Sequence, residues 1–139
     1  MKLSVKSDYA ARAVLGLARR YPLKSVVRVE TLASEQAIPR NYLVQILIEL
    51  KSKQIVKSQR GKEGGYRLAR APAEITLGDI LRAVHGQVFD TPALSDLHCA
   101  AELREAWRRL QKEIENSADG ITFQQLLDAS ESREKMYYS

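Results

Sequence analysis

The chain has 139 residues, 45% hydrophobic and 28% charged, which suits one compact domain with an appended element rather than two full domains. No apolar run approaches the roughly 18 residues of a membrane-spanning helix, and the N-terminus lacks a signal-peptide core, so we expect a cytoplasmic protein that does not contact membranes. The single cysteine, Cys99, excludes an internal disulfide.

The two halves of the chain carry opposite charge. Residues 1–70 contain 15 Lys and Arg against 5 Asp and Glu, a net charge of +10, whereas residues 71–139 contain 7 against 12, a net charge of −5. The two values sum to the formal +5 of the chain. This segregation favours a polyanionic partner for the first half alone, and the alternative is a chance distribution of solvated charges.

Apolar residues at steps of three and four predict a first helix from Ser7 to Tyr21. Ser7 and Asp8 are the candidate N-caps, and Pro22 discourages further helix. A valine-rich stretch at 26–29 allows a very short strand.

Residues 30–52 predict two helices joined by a tight turn. The first spans 30–36, and the second follows Pro39 and carries a buried stripe of leucine and isoleucine through 40–50. A short helix, a turn and a longer helix are the outline of a helix-turn-helix. The open face of the second helix is left with Arg40, Asn41 and Gln45.

A hairpin follows directly, with strands at 55–59 and 66–70 around a glycine-rich, charged tip at 60–65. A hairpin in this place is a wing. Its cations cluster around three glycines, on a backbone able to approach a phosphate or to enter a minor groove. These cations are Arg60, Lys62 and Arg67.

The second half begins with a helix that Thr76 and Asp79 cap and that Gly86 ends. After an irregular stretch, a long helix over about 97–118 carries a heptad-like apolar seam. One isolated helix cannot bury this seam, so the pattern favours a symmetric dimer, and the alternative is a helix folded back on its own domain. The seam residues are Leu103, Trp107, Leu110 and Ile114.

The predicted fold is therefore mainly α with a small β wing, a winged helix-turn-helix domain plus a long C-terminal dimerisation helix. We expect the DNA-binding domain at 1–72, a connecting helix and loop at 73–98, the dimerisation helix and a terminal short helix at 99–129, and a polar tail at 130–139.

In a helix-turn-helix the second helix lies in the major groove with its N-terminal residues against base edges. Arginine suits guanine, whereas asparagine and glutamine suit adenine. Tyr42 either donates to a phosphate or packs beneath the helix, and lysines extend the basic surface toward the wing. The predicted contacts to double-stranded DNA are Arg40, Asn41, Tyr42, Gln45, Lys51, Lys57, Arg60, Lys62 and Arg67. The alternative is an ordinary polar face on a winged-helix protein-interaction module.

Six segments form an ordered pattern across nearly the whole chain: Met1-Lys2-Leu3-Ser4, Tyr9-Ala10-x-Arg12-Ala13, Tyr42-Leu43-x-Gln45-Ile46-Leu47, Lys57-Ser58-x-Arg60-Gly61, Gly64-Gly65-Tyr66-x-Leu68-Ala69 and Ile75-Thr76-Leu77-Gly78-Asp79-Ile80. This pattern resembles the Rrf-two (Rrf2) family of bacterial transcription regulators, the group of IscR, NsrR and CymR. The resemblance implies a homodimer on a pseudo-palindromic operator, with Pro39–Leu50 in the major groove, the wing in the minor groove and the long helix as the dimerisation helix.

One departure from the family concerns the cofactor. Many members hold an iron–sulfur cluster through three cysteines before the long helix, and this chain has only Cys99. His98, His85 and Asp96, with Asp8 from the second subunit, are the other conceivable ligands. We therefore expect no cluster and a structural or surface thiol, with a redox-responsive Cys99 as the alternative.

The same departure favours the cluster-free branch of the family, in which the resemblance implies control by an enzyme of cysteine metabolism. No catalytic motif accompanies these features, so we expect no enzymatic activity. Two functions remain: a sequence-specific regulator, most simply a repressor, and an interaction or redox-sensing module that has lost DNA binding.

Overall fold

The computed structural model describes residues 2–138, and within them it contains six α-helices and one two-stranded antiparallel sheet. The predicted class, mainly α with a small β wing, is confirmed. No helix in the described part is both long and apolar enough to cross a membrane. The elements are α1 (Val5–Ala18), α2 (Val29–Gln36), α3 (Arg40–Ser52), β1 (Val56–Gln59), β2 (Gly65–Leu68), α4 (Leu77–His85), α5 (Ala101–Asp119) and α6 (Phe123–Tyr138).

The hydrophobic core forms around α1, which packs against α2, α3, α4, α6 and β2. The apolar stripe of α1 is buried together with that of α3, and Phe123 of α6 enters the same core with no exposed surface. Burying an aromatic or aliphatic side chain of this size contributes about 1.5–3 kcal/mol. The core therefore joins the N-terminal module to the last helix of the chain.

The first helix begins at Val5, two residues before the predicted Ser7, and ends at Ala18 instead of Tyr21. Ser4 is its N-cap, because the Ser4 hydroxyl accepts a hydrogen bond from the backbone N–H of Ser7 at 3.2 Å. Ser7 itself is buried, and its Oγ lies 2.5 Å from Nε2 of His85 at the end of α4. The sequence pattern did not reveal this start, since Ser4 precedes the apolar stripe.

The helix-turn-helix is confirmed, with boundaries within two residues of those predicted. Ala37 turns the chain in the left-handed conformation (φ 55°), and Ile38 is buried beneath the turn. Pro39 is the N-cap of α3 rather than its first helical residue. Four apolar residues, Leu43, Ile46, Leu47 and Leu50, turn toward the core and leave the opposite face of α3 in solvent.

The wing is a hairpin in which Val56 pairs with Leu68 and Gln59 with Gly65. The valine-rich stretch contributes a single antiparallel bridge, Val27 to Tyr66, instead of a full strand. Gly65 permits this approach, because a Cβ at this position would lie 2.4 Å from the carbonyl oxygen of Val27. The bridge holds β2 against the segment that leads into α2.

The fourth helix begins with the predicted capping box and ends at Gly86 in the left-handed conformation (φ 84°). In the box, the Thr76 hydroxyl accepts from the N–H of Asp79 at 3.1 Å, and the Asp79 carboxylate accepts from the N–H of Thr76 at 3.0 Å. Both first-turn donors are thus satisfied.

We expect Thr76→Ala to lower the free energy of unfolding by about 1 kcal/mol, because the N–H of Asp79 loses its acceptor. Urea unfolding measures this as a lower midpoint at unchanged slope. Thr91→Ala is the matched control, since Thr91 also precedes a helical turn but makes no capping hydrogen bond. Equal midpoints for the two variants would contradict the prediction.

A bidentate ion pair joins α4 to the far end of α5. Nη1 and Nη2 of Arg82 lie 2.9 and 2.8 Å from the two carboxylate oxygens of Asp119. The hydrogen bond from Arg82 lowers the pKa of Asp119, so the pair stays ionised as the pH falls. A bridge between Thr76 and Thr122 lies beside it.

The long fifth helix packs on α4 and on the preceding turn, and none of its residues is buried. It therefore does not fold back into the core. The sixth helix begins with the predicted capping box of Thr122 and Gln125 but continues to Tyr138, through the expected polar tail. Charged residues of good helix propensity without Gly or Pro extend it, although they carry no apolar pattern. Ser139 lies outside the described residues.

Candidate nucleic-acid interface

The N-terminal end of α3 presents the three predicted base-reading residues to solvent. Arg40, Asn41 and Gln45 are all exposed, because the buried stripe of α3 lies on the other side of the helix. Arg40 is not free, however, since its Nε donates to Oε1 of Glu30 at 3.1 Å. Both side chains of this pair are 62% exposed, so the pair lies on the surface.

Glu30 lies in the first turn of α2, at the open end of the helix-turn-helix. A hydrogen bond from its own backbone N–H and a second from Arg40 lower the pKa of Glu30. The carboxylate thus stays ionised below its usual range and holds Arg40 beside α2. A guanine or a phosphate must compete with Glu30 for this guanidinium.

Of the two roles predicted for Tyr42, the structure shows packing. Its ring packs edge-on against Tyr9 of α1, with centroids 6.0 Å apart, while the residue remains 54% exposed. The guanidinium of Arg12 lies 5.9 Å from the centroid of Tyr9 and extends the stack. Packing orients Tyr42, and its contact with DNA stays a prediction.

The wing tip carries Arg60 and Lys62, both exposed, on a turn that requires glycine at Gly61 (φ 110°). The backbone carbonyl of Lys62 accepts from Nη2 of Arg28 at 2.8 Å, which ties the tip to the residue before α2. Sequence reasoning assigned no role to Arg28. Only the neighbouring valine-rich stretch, as a possible sheet partner of the wing, could have indicated it.

Two predicted cations lie away from the tip. From the sequence, Arg67 was predicted to lie near the glycines of the wing tip. The strand register instead places it opposite Lys57, two residue pairs from the tip. Lys51 lies in the last turn of α3, about 16 Å along the helix axis from Arg40, where its charge complements the helix dipole. The predicted DNA contacts therefore form four groups: the start of α3, Lys51 near its end, the wing tip and the outer face of the hairpin.

We expect Arg60→Ala to weaken binding to every duplex sequence and to flatten the salt dependence, because one phosphate contact is lost. The slope of log affinity against log salt should become shallower by about 0.9. Fluorescence anisotropy with a random duplex between 50 and 200 mM salt, as approximate limits, measures it. Arg133→Ala on α6 is the charge-matched control, and identical slopes for the two variants would remove Arg60 from the interface.

The predicted dimer seam lies on one side of α5. Leu103 is 50% exposed and Leu110 is 39% exposed, and Ile114 is half-buried. Trp107 is partly covered within its own chain, since its ring centroid lies 6.2 Å from that of Phe89. Leu103 and Leu110, about two helical turns apart on this side, are the large apolar residues of α5 that remain exposed.

The residues present do not fit an iron–sulfur cluster within one chain. Among residues 2–138 no three His, Cys, Asp or Glu side chains are grouped closely enough to hold a metal ion. Cys99 is half-buried and donates to the following carbonyl, and Asp96 accepts from the backbone N–H of His98 at 2.9 Å. His85 contacts two serine hydroxyls and Asp8 pairs with an arginine of its own helix.

A helix-turn-helix with an adjoining hairpin, both presenting exposed cations from a basic half-chain, defines a winged helix-turn-helix DNA-binding regulator. The family model Rrf2, described as an iron-dependent transcriptional regulator, matches residues 3–129. The chain belongs to the Rrf2 family of transcriptional regulators.

Named relatives agree with this assignment. The HTH-type transcriptional regulator IscR of Aliivibrio salmonicida is 33% identical over 131 residues, covering 91% of this chain and 77% of the relative. Among solved structures, IscR from T. potens has a TM-score of 0.79 at 31% identity, covering 99% of this chain and 97% of that one. CymR, the global cysteine regulator of B. subtilis, has a TM-score of 0.80 at 29% identity, covering 93% and 98%.

Proposed function

We propose that this protein is a homodimeric repressor that binds a pseudo-palindromic operator without an iron–sulfur cluster. The observation that carries the proposal is the exposed apolar side of α5, on the same chain as two cationic DNA-binding tips. A second copy covers this side by symmetry. The dimer then presents two copies of α3 and two wings to one duplex.

Operator selection tests the proposal. We expect repeated selection from random duplexes to enrich an inverted repeat whose half-sites are about 10 base pairs apart, centre to centre, with two chains bound per duplex. A promoter reporter carrying that repeat should be silenced by the protein. An asymmetric single site would contradict the pseudo-palindromic operator, and one chain per duplex would contradict the homodimer. An activated reporter would contradict repression.

The cluster-free state has its own expected result. Protein purified anaerobically should be colourless, with no absorption between roughly 320 and 450 nm, because Cys99 is the only cysteine in the chain. Absorption in this range with stoichiometric iron and sulfide would contradict it. Cys99→Ser is the matched variant, and it should leave both the spectrum and the DNA affinity unchanged.

Regulation then depends on something other than a cluster. The similarity to CymR makes an enzyme or a metabolite of cysteine synthesis the first partner to test. Oxidation of Cys99 is the second candidate, because its thiol is free and keeps partial access to solvent.

A further inference from the structure

A small cleft lies between the outer face of the wing hairpin and the turn that follows α1. Its volume is about 210 Å³, and its lining consists of Tyr21, Lys24, Lys57, Arg67, Leu68 and Ala69. Lys57 and Arg67 come from adjacent strands, whereas Lys24 comes from the turn. Three segments of the chain thus bring a cation each to one place.

The charge of this cleft is uncompensated. Its lining holds three cations and no carboxylate, and within residues 2–138 none of the three forms an ion pair. Carboxylate partners occur elsewhere in the basic half, at Lys6, Arg12, Arg20 and Arg40. The cleft differs from these positions because three unpaired cations from separate segments line one cavity.

The position of these cations also destabilises the hairpin. Lys57 and Arg67 are directly opposite in the strand register, and like charges in this relation destabilise a sheet. Nη1 of Arg67 donates to the carbonyl of Lys24 at 3.4 Å, which holds the guanidinium over the cleft. Lys24 itself has a left-handed backbone conformation (φ 52°). An anion between the cations would relieve their repulsion.

We propose that this cleft binds a phosphate group. A guanidinium fork and two ammonium groups match the oxygens of a phosphate, and the cleft is smaller than the pockets that enclose drug-sized ligands. A phosphodiester of the operator backbone and a free phosphorylated molecule share this chemistry. The choice of DNA as the source rests on the proposed function, whereas the affinity for phosphate does not.

Two measurements on the full chain test the cleft, with Lys57→Gln and Arg67→Gln as variants. Lys135→Gln removes the same charge from the exposed surface of α6 and is the control. The first measurement is thermal unfolding with pyrophosphate against sodium chloride at equal ionic strength. The second is anisotropy with a random duplex across a salt series.

If DNA supplies the phosphate, we expect each cleft variant to lose about tenfold in duplex affinity and to make the salt slope shallower by about 0.9, while Lys135→Gln changes neither. If a free phosphorylated molecule supplies it, pyrophosphate should stabilise the wild type and Lys135→Gln but not the cleft variants, and DNA affinity should stay the same.

Cleft variants that match Lys135→Gln in both measurements would overturn the proposal. Without added anion, Lys57→Gln should unfold at the same temperature as the wild type or higher, because a like-charge pair is removed. If the proposed function itself is wrong, the wild type will not bind duplex DNA, whether or not pyrophosphate binds. This outcome differs from a failure of the cleft proposal alone.

Discussion

Leu110→Asp is expected to convert the protein from a dimer to a monomer and to lower operator affinity by about 10²-fold or more. The variant places a carboxylate in the middle of the exposed apolar side of α5, where the second subunit would bury it. A monomer contacts one half-site and loses the gain of binding two linked sites at once, which is about 10²-fold to 10⁴-fold.

Sedimentation velocity over a concentration series measures the first effect, and titration of a two-half-site duplex measures the second. Lys112→Gln changes the charge of α5 by the same amount on its opposite, exposed side, and should remain dimeric. Because α5 has no buried residue in the single chain, Leu110→Asp should keep the wild-type far-ultraviolet spectrum. A folded Leu110→Asp dimer would show that the subunits meet elsewhere.

Gln45→Ala is expected to cost about 1–3 kcal/mol on the operator while leaving affinity for random duplex unchanged. Gln45 is exposed on the first turns of α3, and its amide can pair with N6 and N7 of adenine in the major groove. A base contact adds nothing on a random sequence, so the operator-to-random ratio is the quantity that falls. Gln87→Ala, an exposed glutamine after α4, is the control.

A variant at Glu30 complements this prediction. Arg40 must leave Glu30 to contact DNA, so Glu30→Gln should strengthen binding to random duplex, because it frees a cation and removes a carboxylate from the interface. Gln45→Ala lowers the operator-to-random ratio without strengthening random binding, so the two variants separate base recognition from release of a cation. An unchanged ratio for Gln45→Ala together with unchanged random binding for Glu30→Gln would place α3 outside the major groove.

The elements predicted from sequence are those whose signals are local. The stripe of α3, the glycines of the wing and the Thr76 capping box each occupy a few neighbouring residues, and all three are confirmed. The start of α1 and the length of α6 were misjudged, because Ser4 precedes the apolar pattern and residues 130–138 depend on helix propensity alone.

Features of the candidate interface that depend on distant contacts could not be predicted. The pairing of Arg40 with Glu30 depends on the angle between two helices, and the tie from Arg28 to the wing tip depends on a single bridge. Arg67 was grouped with the tip because it is close in sequence, whereas the strand register sets its position. Three-dimensional placement, rather than residue type, was the missing information.

The bidentate pair of Arg82 and Asp119 has a consequence for the geometry of the proposed dimer. It fastens the distal end of α5 to α4, which packs beneath α3. In the proposed dimer, this pair restricts how far α5 can turn relative to the DNA-binding end of its own subunit. One inserted base pair turns one half-site relative to the other by about 34° around the DNA axis. We therefore expect the spacing between the half-sites to limit operator affinity as strictly as their base sequence does.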